Sequence, residues 1–549
     1  MAGVTFSKKR LDALLGRKLS PEQWDERASL LGIGFEGIQG DDISFEVYPN
    51  RPDLLSDAGL ARALRGFLGI GKPRMYPVKK SSYQVIVDSS VAKVRPFTAC
   101  AVVTNIRFTD ASLKDLIQFQ EKLHTTYCRN RKKAAIGVYP LDGITWPVSY
   151  LARRPDQISF QPLDAHKALS ARQILEQHPA GKAYGHLLKD ADKYPLFIDA
   201  AGHVLSMPPI INSEHTGRVT TRTASVFIEC SGFDLRVVQQ LIAIIAASIS
   251  DQGGVIHQVA VCNGHKKVAT PVLDPVAHAF DVGYANRTLG TGYSAPQASR
   301  LLERMGHQTK GMQVLVPAYR IDVLHARDLV EDLAIAAGYD TIQPAIPHVA
   351  AIAHEDPLHT FQRRVADLLA GLGLLETNTF HLTSVERQTT LMQSTGSVVE
   401  LANSLNADYN ALRSWMLPSL MDVLRLNKHH DYPQRFFGIG AAFSADRQSE
   451  TGVKERMKLA IVTSHPRADY TEIRQLLEYM LDRLEVKARF VESEHPSVIP
   501  GRAAEALVGM IPVAMVGELH PKVLRSWDLE QPVAGIELDL EALFTLLRK

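Results

Sequence analysis

The chain has 549 residues, and because a domain commonly takes roughly 100–200 residues, we expect about three to five domains. A composition of 45% hydrophobic and 22% charged residues excludes an intrinsically disordered chain, a collagen-like repeat and a coiled-coil rod. The 61 lysine and arginine residues nearly balance the 59 aspartate and glutamate residues, so any nucleic-acid-binding surface must be a local patch.

The cysteines and the apolar stretches of the chain indicate its cellular compartment. None of the four cysteines forms a Cys-x-x-Cys pair or lies beside a histidine at zinc-ligand spacing, so neither a zinc site nor a disulfide framework is expected. The most apolar stretch, residues 241–249, is less than half of the roughly 20 residues that span a bilayer and predicts a core helix. The N-terminus has no apolar run typical of a signal peptide. We therefore expect a cytoplasmic protein without a membrane segment.

The first block, residues 1–88, is predicted to be an N-terminal α/β module. Ser20 can cap a helix for which Pro21 suits the first position, and alternating apolar residues at 43–47 indicate a strand. Small apolar residues at 54–68 predict a second helix.

The second block, residues 89–262, mixes both kinds of element. A β run at 96–106 precedes an amphipathic helix at 113–124, and a long helix is predicted after Asp234. This is an α+β pattern. The basic run at 129–133 could contact phosphates, although an isolated run of this kind is more often a solvated surface.

The C-terminal half divides into a small and a large block. Residues 267–345 contain a predicted helix at 295–305, and residues 355–549 contain antiparallel-looking runs at 506–510 and 511–519. No fixed-period repeat or low-complexity segment is visible. The predicted fold class is therefore α+β and multi-domain.

Four carboxylates lie close together between positions 316 and 342. A helix that starts near Asp328 would carry Glu331 and Asp332 on the same face, and Asp322 could fold back toward them. Clustered oxygen ligands suit Mg²⁺. Asp328 followed three residues later by Glu331 is equally typical of a capping box, and the residues alone favour that structural interpretation.

A second group of polar residues lies in the block at 89–262. Some lie on the amphipathic helix, and others lie in a loop that Pro208 and Pro209 stiffen, where a small polar ligand could be held. An ordinary turn with solvated polar residues would give the same pattern. The residues are Gln118, Gln120, Glu121, His124 and Arg131, followed by Ser206, Asn212, Ser213 and Glu214.

Several nucleotide and hydrolase motifs are missing from the sequence. There is no G-x-x-x-x-G-K-[ST], no G-x-G-x-x-G after a strand, no H-E-x-x-H and no G-x-S-x-G. The glycines at 438 and 440 lead into no glycine-rich loop. Phosphate binding through these motifs is not supported.

Long motifs throughout the chain resemble the β subunits of phenylalanyl-tRNA synthetases of the archaeal and eukaryotic type. The resemblance covers nearly the whole length, with the motifs in the same order. They are FEVYPNRPDLLSDAGLARALRGFLG (45–69), QEKLHTTYCRNRKKAAIGVYPLD (120–142), YPLFIDAAGHVLSMPPIINSEHTG (194–217), VPAYRIDVLHARDLVEDLAIAAGYDTI (316–342), LRSWMLPSLMDVLRLNKHHDYPQRFFGIG (412–440), VIPGRAAE (498–505) and GELHPKVL (517–524).

The resemblance implies a metal role for the acidic cluster. In this family the carboxylates that match Asp322, Asp328, Glu331 and Asp332 are Mg²⁺ ligands, one of them near the partner subunit. The resemblance therefore favours metal binding over helix capping as the role of these carboxylates, although one aspartate can cap through one oxygen and bind a metal through the other. The block at 267–345 is expected to be a small, metal-bearing domain that resembles a winged helix.

The resemblance also implies that the block at 89–262 is an editing domain, which hydrolyses the ester of tyrosine wrongly attached to tRNA(Phe). An apolar pocket rejects an added hydroxyl only about a hundredfold, so a second site that binds the hydroxyl is needed. Glu229 and Ser231 stand where related chains tend to carry Asp and Thr, and we expect one of them to read the phenol while Asn212 helps to position water. The implied pocket is Gln120, Glu121, Arg131, Ser206, Asn212, Glu229 and Ser231.

The block at 355–549 resembles the family's class II synthetase-like module with an antiparallel sheet and no aminoacylation site. Gly438 replaces the acid expected after Arg435, and no late glycine-arginine motif follows. ATP and L-phenylalanine are therefore expected on the α subunit of an α2β2 tetramer that forms L-phenylalanyl-tRNA(Phe), AMP and diphosphate. The present chain would supply editing, tRNA contacts and the oligomer scaffold, with no aminoacylation residues of its own.

Two other functions remain open from the sequence. A free-standing editing hydrolase would need no α subunit, but the large C-terminal block without evident chemistry argues against it. A non-enzymatic tRNA-binding scaffold is favoured if the loop from Ser206 to Asn212 proves inert. Deacylation of mischarged tRNA and co-purification with an α subunit distinguish these alternatives.

Overall fold

The computed structural model describes residues 2–346, 349–350 and 352–548. The chain divides into two compact units, one up to Ile346 and one after it. Each unit is described by itself.

The first unit begins with a three-stranded antiparallel sheet covered by helices. Its core includes Trp24 and Phe45, which pack edge to face, and the predicted cap is confirmed because the Ser20 hydroxyl accepts a hydrogen bond from the Gln23 N–H. The strand order is β1-β3-β2. The elements are β1 (Ala2–Ser7), α1 (Lys8–Leu15), α2 (Pro21–Leu30), β2 (Gly34–Gln39), β3 (Asp42–Val47) and α3 (Asp57–Phe67).

An eleven-stranded mixed sheet forms the centre of the first unit. It takes strands from Val78 to Thr270, so it extends beyond the predicted block 89–262 at both ends. Two further short strands, β9 and β10, pair with each other. The strands are β4 (Val78–Lys79), β5 (Gln84–Val87), β6 (Phe97–Thr104), β7 (Ala134–Pro140), β8 (Val148–Arg153), β9 (Ser159–Phe160), β10 (Leu169–Ser170), β11 (Tyr194–Ile198), β12 (Val204–Met207), β13 (Ile211–Asn212), β14 (Val226–Gly232), β15 (Val255–Asn263) and β16 (Lys266–Thr270).

The helices of this region cover the sheet. Asp234 caps α8, whose apolar stretch at 241–249 is buried against β6 and β14, as the core-helix prediction requires. Among the described residues, no helix combines the length and apolar character needed to cross a bilayer. The helices are α4 (Asp110–Thr125), α5 (Ala171–Gln177), α6 (Pro179–Tyr184), α7 (Glu214–Gly217) and α8 (Leu235–Ser250).

A small three-helix, three-stranded substructure ends the first unit. Its antiparallel sheet has the order β17-β19-β18, and α10 packs against α11. The elements are β17 (Val276–Ala279), α9 (Val282–Leu289), α10 (Ala295–Arg304), β18 (Gln308–Lys310), β19 (Gln313–Val316) and α11 (Ala326–Ala337).

The small substructure caps a helix of the N-terminal sheet module. Arg304, the last residue of α10, donates from Nε and Nη2 to the carbonyl oxygen of Phe67 at 2.9 and 2.8 Å. That carbonyl belongs to the last turn of α3, where helix carbonyls lack internal partners. A Cβ on Gly66 would lie 2.7 Å from the Arg304 carbonyl oxygen, so this approach requires glycine.

The second unit contains a seven-stranded sheet with the order β20-β24-β25-β29-β28-β27-β26. Every pair except β20–β24 is antiparallel, and a separate three-stranded sheet has the order β21-β23-β22. The α+β multi-domain class with an antiparallel C-terminal sheet is confirmed. The strands are β20 (Leu375–Glu376), β21 (Leu382–Thr383), β22 (Val399–Glu400), β23 (Ala411–Leu412), β24 (Gln434–Ala445), β25 (Val453–Ser464), β26 (Arg489–Glu492), β27 (Val498–Val508), β28 (Ile511–Leu519) and β29 (Val533–Asp539).

Helices pack on this sheet and complete the second unit. The apolar faces of α12 and α15 join the core formed by β25, β28 and β29. The helices are α12 (Pro357–Gly371), α13 (Val385–Gln388), α14 (Leu417–Asn427), α15 (Tyr470–Arg483), α16 (Pro521–Ser526) and α17 (Leu540–Leu547).

Candidate functional site

A cavity of about 660 Å³ in the first unit collects most of the predicted pocket residues. It lies between α4, β7, the β12–β13 hairpin and the start of α6, and its volume is typical of small-molecule sites. Ser231 does not line it. The predicted residues that line it are Gln120, Glu121, Arg131, Ser206, Asn212 and Glu229.

Glu229 lies at the floor of the cavity, on β14 between β6 and β7. The Tyr139 hydroxyl lies 2.7 Å from Ser206 Oγ and 3.1 Å from Glu229 Oε1. Its single proton can serve only one of these two acceptors at a time. Glu229 Oε2 has no hydrogen-bond partner among the described residues.

The environment of Glu229 favours its neutral form. The side chain is buried, and this burial raises the pKa of Glu229 to about 8, against the opposing effects of the Tyr139 hydrogen bond and the Arg95 charge. At neutral pH the carboxyl is therefore mostly protonated. A neutral carboxyl both donates and accepts, which suits it to bind a hydroxyl group.

The strand next to Glu229 makes room for this arrangement. Gly137 on β7 lies directly opposite Glu229, and a Cβ at this position would overlap the Tyr139 hydroxyl and lie 2.7 Å from Glu229 Oε1. Only glycine allows the Tyr139 ring to reach both Ser206 and Glu229. Gly137 and Tyr139 were not predicted from the sequence, because the local pattern of residues does not determine the cross-strand register that brings them to Glu229.

Ser231 lies away from the cavity. Arg95, itself buried, donates from Nε to Ser231 Oγ at 3.2 Å and from Nη2 to the Ser231 carbonyl at 2.8 Å. The structure therefore gives the Ser231 hydroxyl a partner inside the protein.

Arg131 ties the loop of the hairpin to α4. Its Nη1 donates to the carbonyls of Pro209 and Ile210 at 3.1 and 3.0 Å, and its Nη2 donates to Glu121 Oε1 at 2.7 Å. The guanidinium also lies 4.1 Å from the centre of the Tyr184 ring. Within the predicted basic run, Arg131 is thus turned inward, whereas Arg129 is exposed.

Neither histidine that lines the cavity has a free ring nitrogen. His124 Nε2 accepts from the Ile136 N–H at 2.9 Å, which leaves Nδ1 to donate to Glu121 at 3.3 Å. His178 Nδ1 accepts from the Ala180 N–H, which leaves Nε2 to donate to the Leu163 carbonyl at 3.0 Å. With both nitrogens engaged, neither residue is available as a general base.

Two of the four predicted metal ligands are occupied by an arginine. Arg320 donates to Asp322 at 2.8–2.9 Å and to Asp332 at 2.7 Å, and His307 Nε2 lies 2.6 Å from Asp332. Although burial opposes ionisation, the Arg320 charge holds the pKa of both carboxyls below its usual value.

The other two do not complete a metal group. Asp328 is the third residue of α11 and accepts from the Leu324 and His325 N–H groups at 2.7 Å, so the capping box pairs His325 with Asp328, and the pairing of Asp328 with Glu331 was wrong. In the part of the chain that the structure describes, no three His, Cys, Asp or Glu side chains are placed to hold a metal ion. This arrangement, in which Arg320 engages Asp322 and Asp332, gives no support to the predicted Mg²⁺ ligands, and the magnesium site stays a prediction.

In the second unit, the strand that carries Gly438 is covered by an arginine. Arg413 is buried and donates from Nε to the Ala441 carbonyl at 2.6 Å and from Nη1 to Thr379 Oγ1 at 2.9 Å. A Cβ on Gly440 would overlap its guanidinium, and one on Gly438 would lie 3.0 Å from the Thr377 carbonyl. Protein groups therefore fill the space beside this part of β24.

A second buried glutamate lies in this unit. Glu537 on β29 accepts from the Met416 N–H at 3.0 Å and from the Leu417 N–H at 2.9 Å, at the start of α14. Lys458 Nζ lies 3.6 Å away. Burial raises the pKa of Glu537, against the Lys458 charge and these backbone hydrogen bonds.

Comparisons with known proteins agree along the whole chain. Residues 278–339 match the tRNA synthetase B5 domain, and residues 342–540 match the phenylalanyl tRNA synthetase beta chain CLM domain. The chain is 37% identical to the phenylalanine–tRNA ligase beta subunits of Thermococcus onnurineus and Pyrococcus furiosus; the alignments cover 99% of this chain and 99% and 100% of those proteins.

A solved structure supports the same relation. The crystal structure of an N-terminal fragment of the phenylalanyl-tRNA synthetase beta subunit from Pyrococcus horikoshii has a TM-score of 0.59 and 36% identity, covering 62% of this chain and 100% of the fragment. With more than 30% identity over nearly the full length, the chain belongs to the phenylalanine–tRNA ligase beta subunit family.

Proposed function

We propose that this chain is the β subunit of a cytoplasmic phenylalanine–tRNA ligase and that its 660 Å³ cavity hydrolyses tyrosyl esters of tRNA(Phe). Family membership supports the ligase role. The observation that carries the editing role is the hydrogen-bonded group of Ser206, Tyr139 and Glu229 on the cavity floor, which leaves one oxygen of a buried carboxyl without a partner.

This carboxyl can distinguish tyrosine from phenylalanine. A tyrosyl phenol that enters the cavity supplies the missing partner of Glu229 Oε2, whereas a phenylalanyl ring leaves a buried polar atom unpaired. An unpaired buried group costs about 1–3 kcal/mol, so recognition of the hydroxyl is a sharper filter than pocket size. Of the two residues expected to read the phenol, Glu229 is therefore the better candidate.

Hydrolysis in this cavity would depend on positioning rather than on a histidine base. Glu121 carries a pKa below its usual value, because the His124 hydrogen bond and the Arg131 charge outweigh its burial, and its negative charge suits the α-ammonium group of an aminoacyl ester. Asn212 lies directly opposite Ser206 on the neighbouring strand, where its amide can orient a water. That water adds to the ester carbonyl carbon, the bond from this carbon to the ribose oxygen breaks, and a proton of the water passes to the ribose oxygen, which leaves as a free hydroxyl.

Aminoacylation would take place on the α subunit of an α2β2 tetramer, which binds ATP and L-phenylalanine. The filled space beside β24, where Arg413 covers Gly440 and the Thr377 carbonyl approaches Gly438, supports this division of work. tRNA(Phe) would contact exposed basic residues such as Arg129, with an affinity that falls as salt rises.

Two measurements test the proposal. Phenylalanine-dependent ATP–pyrophosphate exchange should require co-expression with an α subunit, and adenylate formation by this chain alone would contradict it. Release of tyrosine from Tyr-tRNA(Phe) should fall in Asn212→Ala and stay unchanged in Asn263→Ala, which removes the same side chain from an exposed position on β15 outside the cavity. A chain that binds tRNA(Phe) but never releases tyrosine would instead be a non-enzymatic scaffold, and one that edits without associating with an α subunit would be a free-standing hydrolase.

A further inference from the structure

A second cavity in the first unit has an excess of positive charge. It measures about 460 Å³ and lies between α3, residues 71–74, the end of α8 and Tyr319. Two carboxylates, Asp53 and Asp251, also line it. Its cationic side chains are Arg51, Arg62, Arg65, Lys72 and Arg74.

The two carboxylates are already engaged. Asp53 receives two hydrogen bonds from Arg51, at 2.8 and 2.9 Å. Asp251 receives bonds from Arg62 at 2.5 Å, from Arg74 at 2.8 Å and from the Tyr76 hydroxyl at 2.7 Å. Their charge offsets only part of the charge of the arginines.

Arg62 forms the base of this cavity and is not fully satisfied. Its side chain is 9% exposed, and it stacks on the Tyr319 ring at 3.9 Å. Nε and Nη2 have no hydrogen-bond partner among the described residues. Asp251 pairs with Nη1, and Asp53 Oδ2 lies 3.7 Å from Nη2, so the described part of the chain offsets part of the Arg62 charge but leaves two of its buried nitrogens without a hydrogen-bond acceptor.

The cavity rim carries two more cations. Arg65 donates from Nη1 to the Leu15 carbonyl at 2.9 Å, and Lys72 is exposed; within the described ranges neither has a carboxylate partner. Gly71 also lies beside the Arg65 guanidinium. A Cβ added to Gly71 would lie 3.6 Å from Arg65 Nη2. The absence of a side chain at Gly71 leaves that part of the guanidinium uncovered.

We propose that this cavity binds a phosphate group. Guanidinium N–H groups match the geometry of phosphate oxygens, and a multiply charged anion balances the excess positive charge better than a single carboxylate does. The volume exceeds the need of a bare phosphate and lies in the range of small-molecule sites. The phosphate would therefore belong to a phosphorylated small molecule or to a nucleic-acid backbone.

The test uses the full-length chain and inorganic pyrophosphate as the probe in isothermal titration calorimetry. Saturable binding that weakens with added KCl is expected. The double variant Arg65→Gln/Lys72→Gln should bind at least about tenfold more weakly. Lys266→Gln/Lys267→Gln, which removes the same charge from the exposed strand β16, should bind like the wild type.

Gly71→Val provides a charge-neutral variant. It places methyl groups beside Arg65 and should weaken pyrophosphate binding without changing the net charge. If the double variant does not fold, because Arg65 also holds the Leu15 carbonyl, Lys72→Gln and Gly71→Val still decide the matter. The proposal is overturned if the wild type shows no saturable binding, or if these variants bind pyrophosphate as tightly as the wild type.

Binding of tRNA by the same variants distinguishes the two sources of phosphate. A loss of tRNA affinity in Arg65→Gln/Lys72→Gln, together with competition by pyrophosphate, assigns the cavity to a nucleic-acid phosphate. Unchanged tRNA affinity with lost pyrophosphate binding assigns it to a free phosphorylated molecule. Neither result depends on deacylation at Glu229, so the outcome is independent of the editing proposal.

Discussion

Glu229 in the first unit and Glu537 in the second are both buried glutamates on central strands, and burial raises the pKa of both. They differ in their partners. Both oxygens of Glu537 accept backbone N–H groups at the start of α14, whereas Glu229 uses one oxygen and leaves the other unpaired at a cavity. Burial and a raised pKa are thus common to both carboxyls, and what separates them is the number of oxygens that have a hydrogen-bond partner.

The largest expected effect is the pH dependence that Glu229 imposes on stability. Its pKa rises from 4.5 to about 8 on folding, so the stability that it contributes is present below pH 4.5 and is lost as pH rises through about 8. The loss should be on the order of a few kcal/mol. Thermal unfolding of wild type and Glu229→Gln across this range measures it. A stability difference that does not change with pH would show that Glu229 is not held neutral.

Removing Glu537 should destabilise the second unit by about 3 kcal/mol or more. Glu537→Ala leaves two buried N–H groups without an acceptor and opens a cavity beside α14. Chemical denaturation monitored by tryptophan fluorescence measures the loss. Glu530→Ala, at an exposed position, is the control, and equal stability of the two variants would contradict the structural role.

A methyl group at Gly137 should disturb the cavity floor. Gly137→Ala overlaps the Tyr139 hydroxyl, and we expect a loss of about 2 kcal/mol in stability and of most deacylation of Tyr-tRNA(Phe). Gly143→Ala, where the added Cβ meets no atom within 4 Å, should change neither property. A fully active Gly137→Ala protein would remove Tyr139 from its position against Glu229.

Glu229→Gln should reduce the preference for tyrosine about tenfold while the protein stays folded. The amide keeps the shape of the carboxyl but changes its donors and acceptors, at a cost of about 1.4 kcal/mol for one hydrogen bond. The ratio of deacylation rates for Tyr-tRNA(Phe) and Phe-tRNA(Phe) measures the preference. Glu176→Gln on the exposed side of α5 serves as the control, and an unchanged ratio in Glu229→Gln would argue against recognition of the phenol.

The smallest effect is expected from Tyr139→Phe. It removes only the hydroxyl that lies between Ser206 and Glu229, so we expect about 1 kcal/mol, or roughly fivefold, in the rate of tyrosine release. Because Tyr139 acts through its neighbours, the pH at which release is half-maximal should shift as well. A slower rate with an unchanged pH profile would limit Tyr139 to a packing role.

Local patterns predicted the helices well. The Ser20 cap, the buried stretch of α8 and the long strands of the second unit lie where period and capping residues indicate them. The short strands β4, β5 and β16 were not predicted from the sequence, because each is defined by its pairing with β15. For β4 and β5 this partner lies far away in the chain.

In the candidate site, too, some residues were predicted from the sequence and others depend on strand pairing. The resemblance to the family identified six residues that the cavity brings together, whereas Tyr139 and Gly137 depend on strand register. For Asp328 the local spacing was misleading. Its spacing to Glu331 predicted a capping box between these two residues, but α11 starts earlier and His325 takes the cap position. The residue at which a helix begins depends on the conformation of the segment before it, and the spacing between two polar residues does not determine that residue.

The hydrogen bonds from Arg304 to the Phe67 carbonyl have a practical consequence for dissecting the protein. A fragment that ends before residue 278 would leave the last turn of α3 without its partner, although its own sheets would be intact. An isolated fragment of residues 278–339 would likewise leave the Arg304 guanidinium without the Phe67 carbonyl that accepts both of its hydrogen bonds. Fragment boundaries taken only from the residues that match the family domains would therefore separate Arg304 from the Phe67 carbonyl. A fragment that ends near residue 346 keeps both of these groups.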